Sequence, residues 1–227
     1  MALRAVQELQ DLAYAEDLSP FRGALKREPM IELALFSDLE LEDVDVGNTR
    51  FLECAFTDTV ITGGSFRRTR LSEVWMRRMR ILNLDFGECV WDDLTVLDSS
   101  LAALQLYATK VHRVVFQGCK LNSLNFRDAE LLDVEFVNCR LQGIDFAGAT
   151  LKRVRFPGCQ IESMQLTGAT LDSVDLSEAH DVQLTADAHS LKGAIINEGQ
   201  LLTMSPAFAD ALGVTVRAGS EMKGDTR

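Results

Sequence analysis

Apolar residues recur at every fifth position from Phe36 to Leu176 without exception, 29 in succession, in a chain that is 47% hydrophobic. That spacing belongs to neither regular element. In an α-helix, residues i and i+5 lie about 140° apart around the axis. In a flat strand an odd step lands on the opposite face. Each five-residue unit must therefore end in a bend, and a short unit repeated at a fixed period builds a solenoid. A second column lies two residues before the first. Between Thr109 and Val174 it reads T-V-C-L-A-V-C-I-A-V-C-M-A-V, small or aliphatic throughout. Two alternate positions per unit point inward, and the rest face solvent.

This pattern resembles the pentapeptide-repeat family, whose loose motif is A-(D/N)-L-x-x with the leucine-type residue central. Asp128–Leu132 reads D-A-E-L-L, Gly148–Lys152 reads G-A-T-L-K and Gly168–Asp172 reads G-A-T-L-D. The resemblance covers residues 34–178. It implies an all-β fold, a right-handed quadrilateral β-helix with four pentapeptides per turn. A 20-residue superperiod should then be visible, and it is. Positions 36, 56, 76 and onward to 176 read F-F-M-V-F-F-F-L, and positions 46 to 166 read V-F-F-L-F-F-L. The two columns between them, from 41 and from 51, read L-I-I-L-L-L-I and F-L-W-V-L-L-L. Phenylalanine thus favours two opposite sides, as stacking of like residues requires. The 29 units make about seven turns, roughly 34 Å of rod at the spacing of adjacent strands.

The flanks read differently. Leu3, Val6, Leu9, Leu12 and Ala13 form a helical stripe, and Ser19-Pro20 ends it. An open solenoid end exposes core and strand edges, so residues 1–33 read as an N-terminal helical cap, lying along the outward apolar column Leu35, Ala55, Trp75 and Val115. Residues 34–196 are the solenoid. Residues 197–216 read as a C-terminal helical segment, with a helix near Glu198–Met204 and a fresh start at Ser205-Pro206 that stops at Gly213. Leu201, Leu202, Phe208 and Leu212 are too apolar for a surface appendage, and the resemblance implies a two-fold dimer through this region; the alternative is a monomeric end cap. Residues 217–227 read as a disordered tail.

Composition narrows the function. No apolar run reaches the length of a membrane span, and the N-terminus lacks the apolar core of a signal peptide, which points to the cytoplasm. The formal net charge is −11, which argues against direct nucleic-acid binding. Cys119, Cys139 and Cys159 stand 20 residues apart and so stack in one inward column. Cys54 and Cys89 fill the same inward position on other sides. None has zinc-site spacing, so the expectation is buried thiols without metal, disulfide or cofactor. His112, His180 and His189 have no partner in a catalytic pattern. Gly63-Gly64 lacks the lysine and helix of a phosphate loop. Asp92 and Asp93 are adjacent acids on a ridge rather than a general acid/base pair. The chain reads as a non-enzyme, with no catalytic residues.

The surface remains. One outward column reads Glu53, Glu73, Asp93, Arg113, Asp133, and neighbouring ridges add Asp38, Asp58, Asp92 and Asp98. Glu53, Glu73, Asp92, Asp93 and Asp98 are the candidate partner-binding residues. The resemblance extends to DNA-like rods of the quinolone-resistance and antibiotic self-immunity type. These bind type II topoisomerases, chiefly DNA gyrase, and protect them from poisons. The unbroken register lacks the inserted loops of some such relatives, so it resembles the loop-free, C-terminally dimeric subgroup. Against a uniform mimic stands a basic belt, Arg67, Arg68, Arg70, Arg77, Arg78 and Arg80. The alternative is a rigid interaction scaffold in signalling or development.

Overall fold

The computed structural model describes residues 3–217. Among the described residues the chain winds into a parallel β-solenoid of about 8 turns with one α-helix at its C-terminal end. Adjacent coils pair in a strict 20-residue register: Val111 lies beside Leu131, Leu121 beside Leu141, Leu141 beside Ile161. Two parallel sheets make the wall. In one of them long strands such as Arg70–Arg77 and Glu130–Val137 turn a corner without breaking, so that sheet covers two adjacent sides.

The five-residue period has a backbone cause. From Leu33 to Gly158, every fifth residue has φ in the left-handed region, 26 positions in an unbroken series. Each such residue is the bend that lets the next unit start on a new side. A non-glycine residue there costs about 1–2 kcal/mol, least for Asn and Asp, and Asp, Asn or Gly fill 15 of the 26. The cost is offset by what the bends permit, a core in which like residues stack at the coil spacing. Phe116, Phe136 and Phe156 stack with ring centroids 4.9 and 5.0 Å apart and planes within 4°. Phe36 and Phe56 do the same at 4.2 Å.

At the N-terminal end the expected helix does not form. Residues 3–18 hold only two short 3-10 turns, Leu9–Asp11 and Ala15–Asp17. Their apolar stripe does lie on the anticipated column: Ala5, Val6, Leu9 and Leu12 pack against Ala55, Trp75 and Leu97. The segment stays unwound because its backbone is bonded to the rod. The Leu3 amide donates to Glu135 (3.1 Å), the Val6 carbonyl accepts from the Trp75 indole (2.8 Å), and the Gln7 carbonyl accepts from Arg77 (3.2 Å). It is a strap laid across several coils. The end itself is closed by β1 (Ser19–Pro20), β2 (Met30–Glu32) and Phe21, whose ring stacks on Phe36 at 4.4 Å. The first full coil follows with β3 (Ala34–Ser37) and β4 (Glu40–Asp45).

At the other end a single helix α1 runs from Glu198 to Ala211. Asn197 caps it in a reciprocal box with Gln200, so Ser205-Pro206 is not a second start. Pro206 sits inside the helix. It denies the Leu202 carbonyl its usual amide, and the Ser205 hydroxyl, 2.8 Å away, donates to that carbonyl instead. Gly213, with φ +69°, ends the helix as expected; its amide reaches Asp210 and the Val214 amide reaches Ala209, a Schellman pairing. Buried Gln200 docks α1 on the rod by donating to the open carbonyls of Leu176 (2.6 Å) and Ala179 (2.8 Å). Of the tail expected at 217–227, all but Arg217 lies outside the described residues.

Candidate partner-binding surface

The five acids singled out in the sequence stand at or next to corners. Glu53, Glu73, Asp93 and Asp98 all occupy left-handed positions, and Asp92 precedes one. Their placement on the outside follows from the backbone. What distinguishes them is their neighbours one coil away. Arg113 forks onto Asp93 at 2.5 Å, reaches Asp92 at 2.9 Å, and holds the Asp93 carboxyl below the usual carboxylate range. His112 adds a second contact to Asp92 (3.0 Å). Asp98 faces Arg77 at 3.5 Å. Glu53 and Glu73 have no ion pair among the described residues. Glu73 borders the strap, where its backbone carbonyl accepts from the Tyr14 hydroxyl at 2.6 Å; burial pushes that phenol up.

The same Arg-over-Asp arrangement repeats at other corners. Arg153 forks onto Asp133 (2.6 and 2.7 Å) and Arg78 onto Asp58 (2.6 Å to each oxygen), which lowers Asp58 to about 2 through the guanidinium first and Thr57 second. Most of the basic belt is absorbed this way. Arg67 pairs with Glu88 and lies over the Tyr107 ring, Arg68 is near Glu88, and Arg77 reaches Glu8 of the strap. Arg70 and Arg80 have no acid within ion-pair distance among the described residues.

Charge is therefore distributed unevenly. Residues 54–173 contain 14 acids and 14 bases, interleaved. Residues 34–53 contain six acids and one base, Arg50. Four of those acids, Asp38, Glu40, Glu42 and Asp43, are exposed and lack an ion-pair partner among the described residues; Asp45 is held by Arg27 at 2.6 Å. The strongest uncompensated patch is thus at the first coil, a concentration that reading down the columns missed. Summing charge coil by coil would have found it.

Inside, Cys119, Cys139 and Cys159 are buried in one column as expected, each thiol facing the carbonyl of a phenylalanine or valine in the coil before. Burial raises Cys54 and Cys89 to about 11, which leaves their thiols protonated and unreactive at neutral pH. The axis is filled by large side chains. At the C-terminal end Leu201, Leu202 and Leu212 are 52%, 74% and 67% exposed. Phe208 is half-buried. Among the described residues no helix is long and apolar enough to cross a membrane.

Residues 109–183 match the family model described as pentapeptide repeat region. No curated protein matches. Among solved structures, the chain is similar to HetL, a pentapeptide repeat protein involved in heterocyst differentiation regulation from the cyanobacterium Nostoc (17% identity over 76% of this chain and 86% of that one, TM-score 0.28). It is also similar to a trypsin-treated variant of QnrB1, a plasmid-mediated fluoroquinolone resistance protein (14% identity, 88% and 96%, TM-score 0.34). A third is Rfr23, a pentapeptide repeat protein from the cyanobacterium Cyanothece (13% identity, 73% and 91%, TM-score 0.16).

Proposed function

We propose that this chain, whose residues 109–183 are a pentapeptide repeat region, is a non-enzymatic binding rod that acts in the cytoplasm by occupying the DNA-binding saddle of a type II topoisomerase, DNA gyrase first among them, and so shields that enzyme from a poison. One observation carries the reading: a β-solenoid with a filled axis whose uncompensated carboxylates lie on its outside, at the first coil including Glu53 and at Glu73. A basic saddle shaped for a duplex attracts such a surface, and charge steering speeds the encounter. Asp92, Asp93 and Asp98 enter the proposal with their guanidinium partners attached, so they contribute shape and hydrogen-bond acceptors more than free charge.

The active form is a homodimer. Leu201, Leu202, Phe208 and Leu212 meet their two-fold mates, since an isologous interface reuses one patch and exposed apolar clusters of this kind mark interfaces. Phe208→Asp with Leu212→Asp should give folded monomers by light scattering. A native protein already monomeric at micromolar concentration would refute the dimer.

The test of the whole reading is a gyrase supercoiling and cleavage assay with and without a poison. The protein should relieve poison-induced cleavage, inhibit supercoiling at higher concentration, and lose effect as salt shortens the range of charge. Glu53→Lys with Glu73→Lys should weaken it without unfolding the rod. A second reading, a scaffold for a non-topoisomerase partner, is favoured by the balanced charge of residues 54–173, which a duplex would not share. A protein that leaves gyrase untouched at low salt would put that reading first.

A further inference from the structure

The sides of the rod do not end alike at the N-terminal tip. Beneath β3 lies β1, with Ser19 beside Ala34. Beneath Arg50–Leu52 lies β2, with Ile31 beside Phe51. Among the described residues no strand pairs with the lower edge of β4; the link between β1 and β2 passes this end, with Leu25 buried in the core and Arg27 on Asp45. It pairs with Val60–Ser65 above it and is the terminal strand of its sheet.

The consequence is visible in the amides. In later coils the residue at the Glu40 position donates to the coil below: Val60 to Leu39 (2.8 Å), Arg80 to Thr59 (3.0 Å), Ser100 to Met79 (2.9 Å), Lys120 to Ser99 (2.9 Å). At the Glu42 position Glu162 does the same to Leu141 (2.8 Å). Glu40 and Glu42 are first in their rows, and among the described residues no backbone carbonyl takes their amides. Leu39 and Leu41 are half-exposed, whereas Thr59 and Ile61 one coil on are buried. This is an open sheet edge, with donors, acceptors and two leucines on offer.

An open edge takes an added strand. Its side chains decide which one. Asp38, Glu40, Glu42 and Asp43 are exposed along it without a cation partner among the described residues. A second copy of the same edge would bring like charges face to face, which is destabilising between paired strands. We infer that the β4 edge is a strand-addition site for an extended segment of a partner protein that carries Lys or Arg at alternate positions. The segment's backbone takes the Glu40 and Glu42 amides, and its cations meet the carboxylates on either side. The inference holds whichever protein supplies the segment and does not rest on the topoisomerase reading.

The experiment uses the full chain and three short peptides: alternating Lys and Val, the same peptide N-methylated along one edge, and alternating Glu and Val. Calorimetry at low salt should show binding of the Lys/Val peptide, about tenfold weaker binding of its N-methylated form because that edge can no longer donate to the β4 carbonyls and its methyl groups crowd the pairing, and none of the acidic one. Amide hydrogen exchange should slow at Glu40 and Glu42. The variant Glu40→Gln, Glu42→Gln, Asp43→Asn should keep its circular dichroism and bind about tenfold more weakly, as loss of charge-assisted contacts predicts. Equal binding of the N-methylated peptide, or protection elsewhere on the rod, would reduce the effect to diffuse charge attraction and overturn the inference. So would a native protein that binds no peptide while the neutralised variant stacks end to end, which would make the carboxylates a guard against self-pairing.

Discussion

The first coil and the middle coils share one backbone and differ in what their corners carry. In residues 54–173 each corner acid tends to have a guanidinium one coil away, as in Asp58 with Arg78, Asp93 with Arg113 and Asp133 with Arg153. In residues 34–53 the same left-handed positions hold Asp38 and Asp43 with no such mate among the described residues. Since the backbone favours Asp at these corners anyway, an acid there says little. The absence of its arginine says more. The middle of the rod pairs most of its corner charges within itself, leaving Glu73, Arg70 and Arg80 without a mate among the described residues, whereas at the tip the corner acids stand without arginines.

That contrast can be broken at several strengths. The largest effect should be internal and indifferent to charge. Phe136→Ala should cost about 3–5 kcal/mol in urea unfolding, the usual loss for a buried aromatic, because Phe136 is stacked between Phe116 and Phe156. If removing a middle-coil arginine cost as much, the ion pairs would be holding the coils together and the picture would be wrong. A smaller loss is expected at the strap. Tyr14→Phe removes the bond to the Glu73 carbonyl and should cost about 0.5–1.5 kcal/mol, read by the same unfolding curve.

Weaker still are the corner pairs. Arg78→Ala should cost about 0.2–1 kcal/mol, since both partners are substantially solvated. Asp58, Asp93 and Asp133 all have folded pKa values below their unfolded ones, each held down chiefly by its arginine. Their contribution is therefore fully present above the unfolded carboxylate value of about 3.9. It is lost as pH falls through the folded values, reached last at Asp58, near 2. Stability should be flat from neutral pH to about 4 and decline below it, and Arg78→Ala should soften that decline. Smallest of all, Glu40→Gln should change stability by less than about 0.5 kcal/mol. A larger gain there would mean that the tip carboxylates strain the coil.

Much of this was legible beforehand. The five-residue column of apolar residues and its twenty-residue superperiod place the side chains along the axis of the coils, because an inward position tolerates only a residue that can stack on its neighbour above; Tyr14, Leu25 and Met204 are buried outside that register. The strap was half legible. Leu3, Val6, Leu9 and Leu12 show spacing that fits a helix or a groove-filling ribbon equally. What decides is the distant Trp75 indole and Glu135 carboxylate, which take the backbone groups a helix would keep. Pro206 misled for a related reason: a proline that begins helices elsewhere is tolerated inside one here because Ser205 stands ready to satisfy the orphaned carbonyl. The partner surface was the least legible. Reading down a column brings out the repeated acids, whereas the informative quantity, an acid without its arginine one coil away, needs the pairing of two distant units.

The twenty-residue register has one more consequence. Because each coil repeats the same four corners in the same orientation, the rod behaves as a ruler graduated in steps of about 4.8 Å. Excising one coil from the neutral stretch, such as residues 114–133, would bring the open edge at β4 and the exposed leucines of α1 closer by one graduation, with no rotation of one about the rod relative to the other beyond the sheet's own twist. The separation between two contact points is thus written as a whole number of coils, and a lineage could lengthen or shorten its reach by duplicating or losing units while leaving both ends untouched.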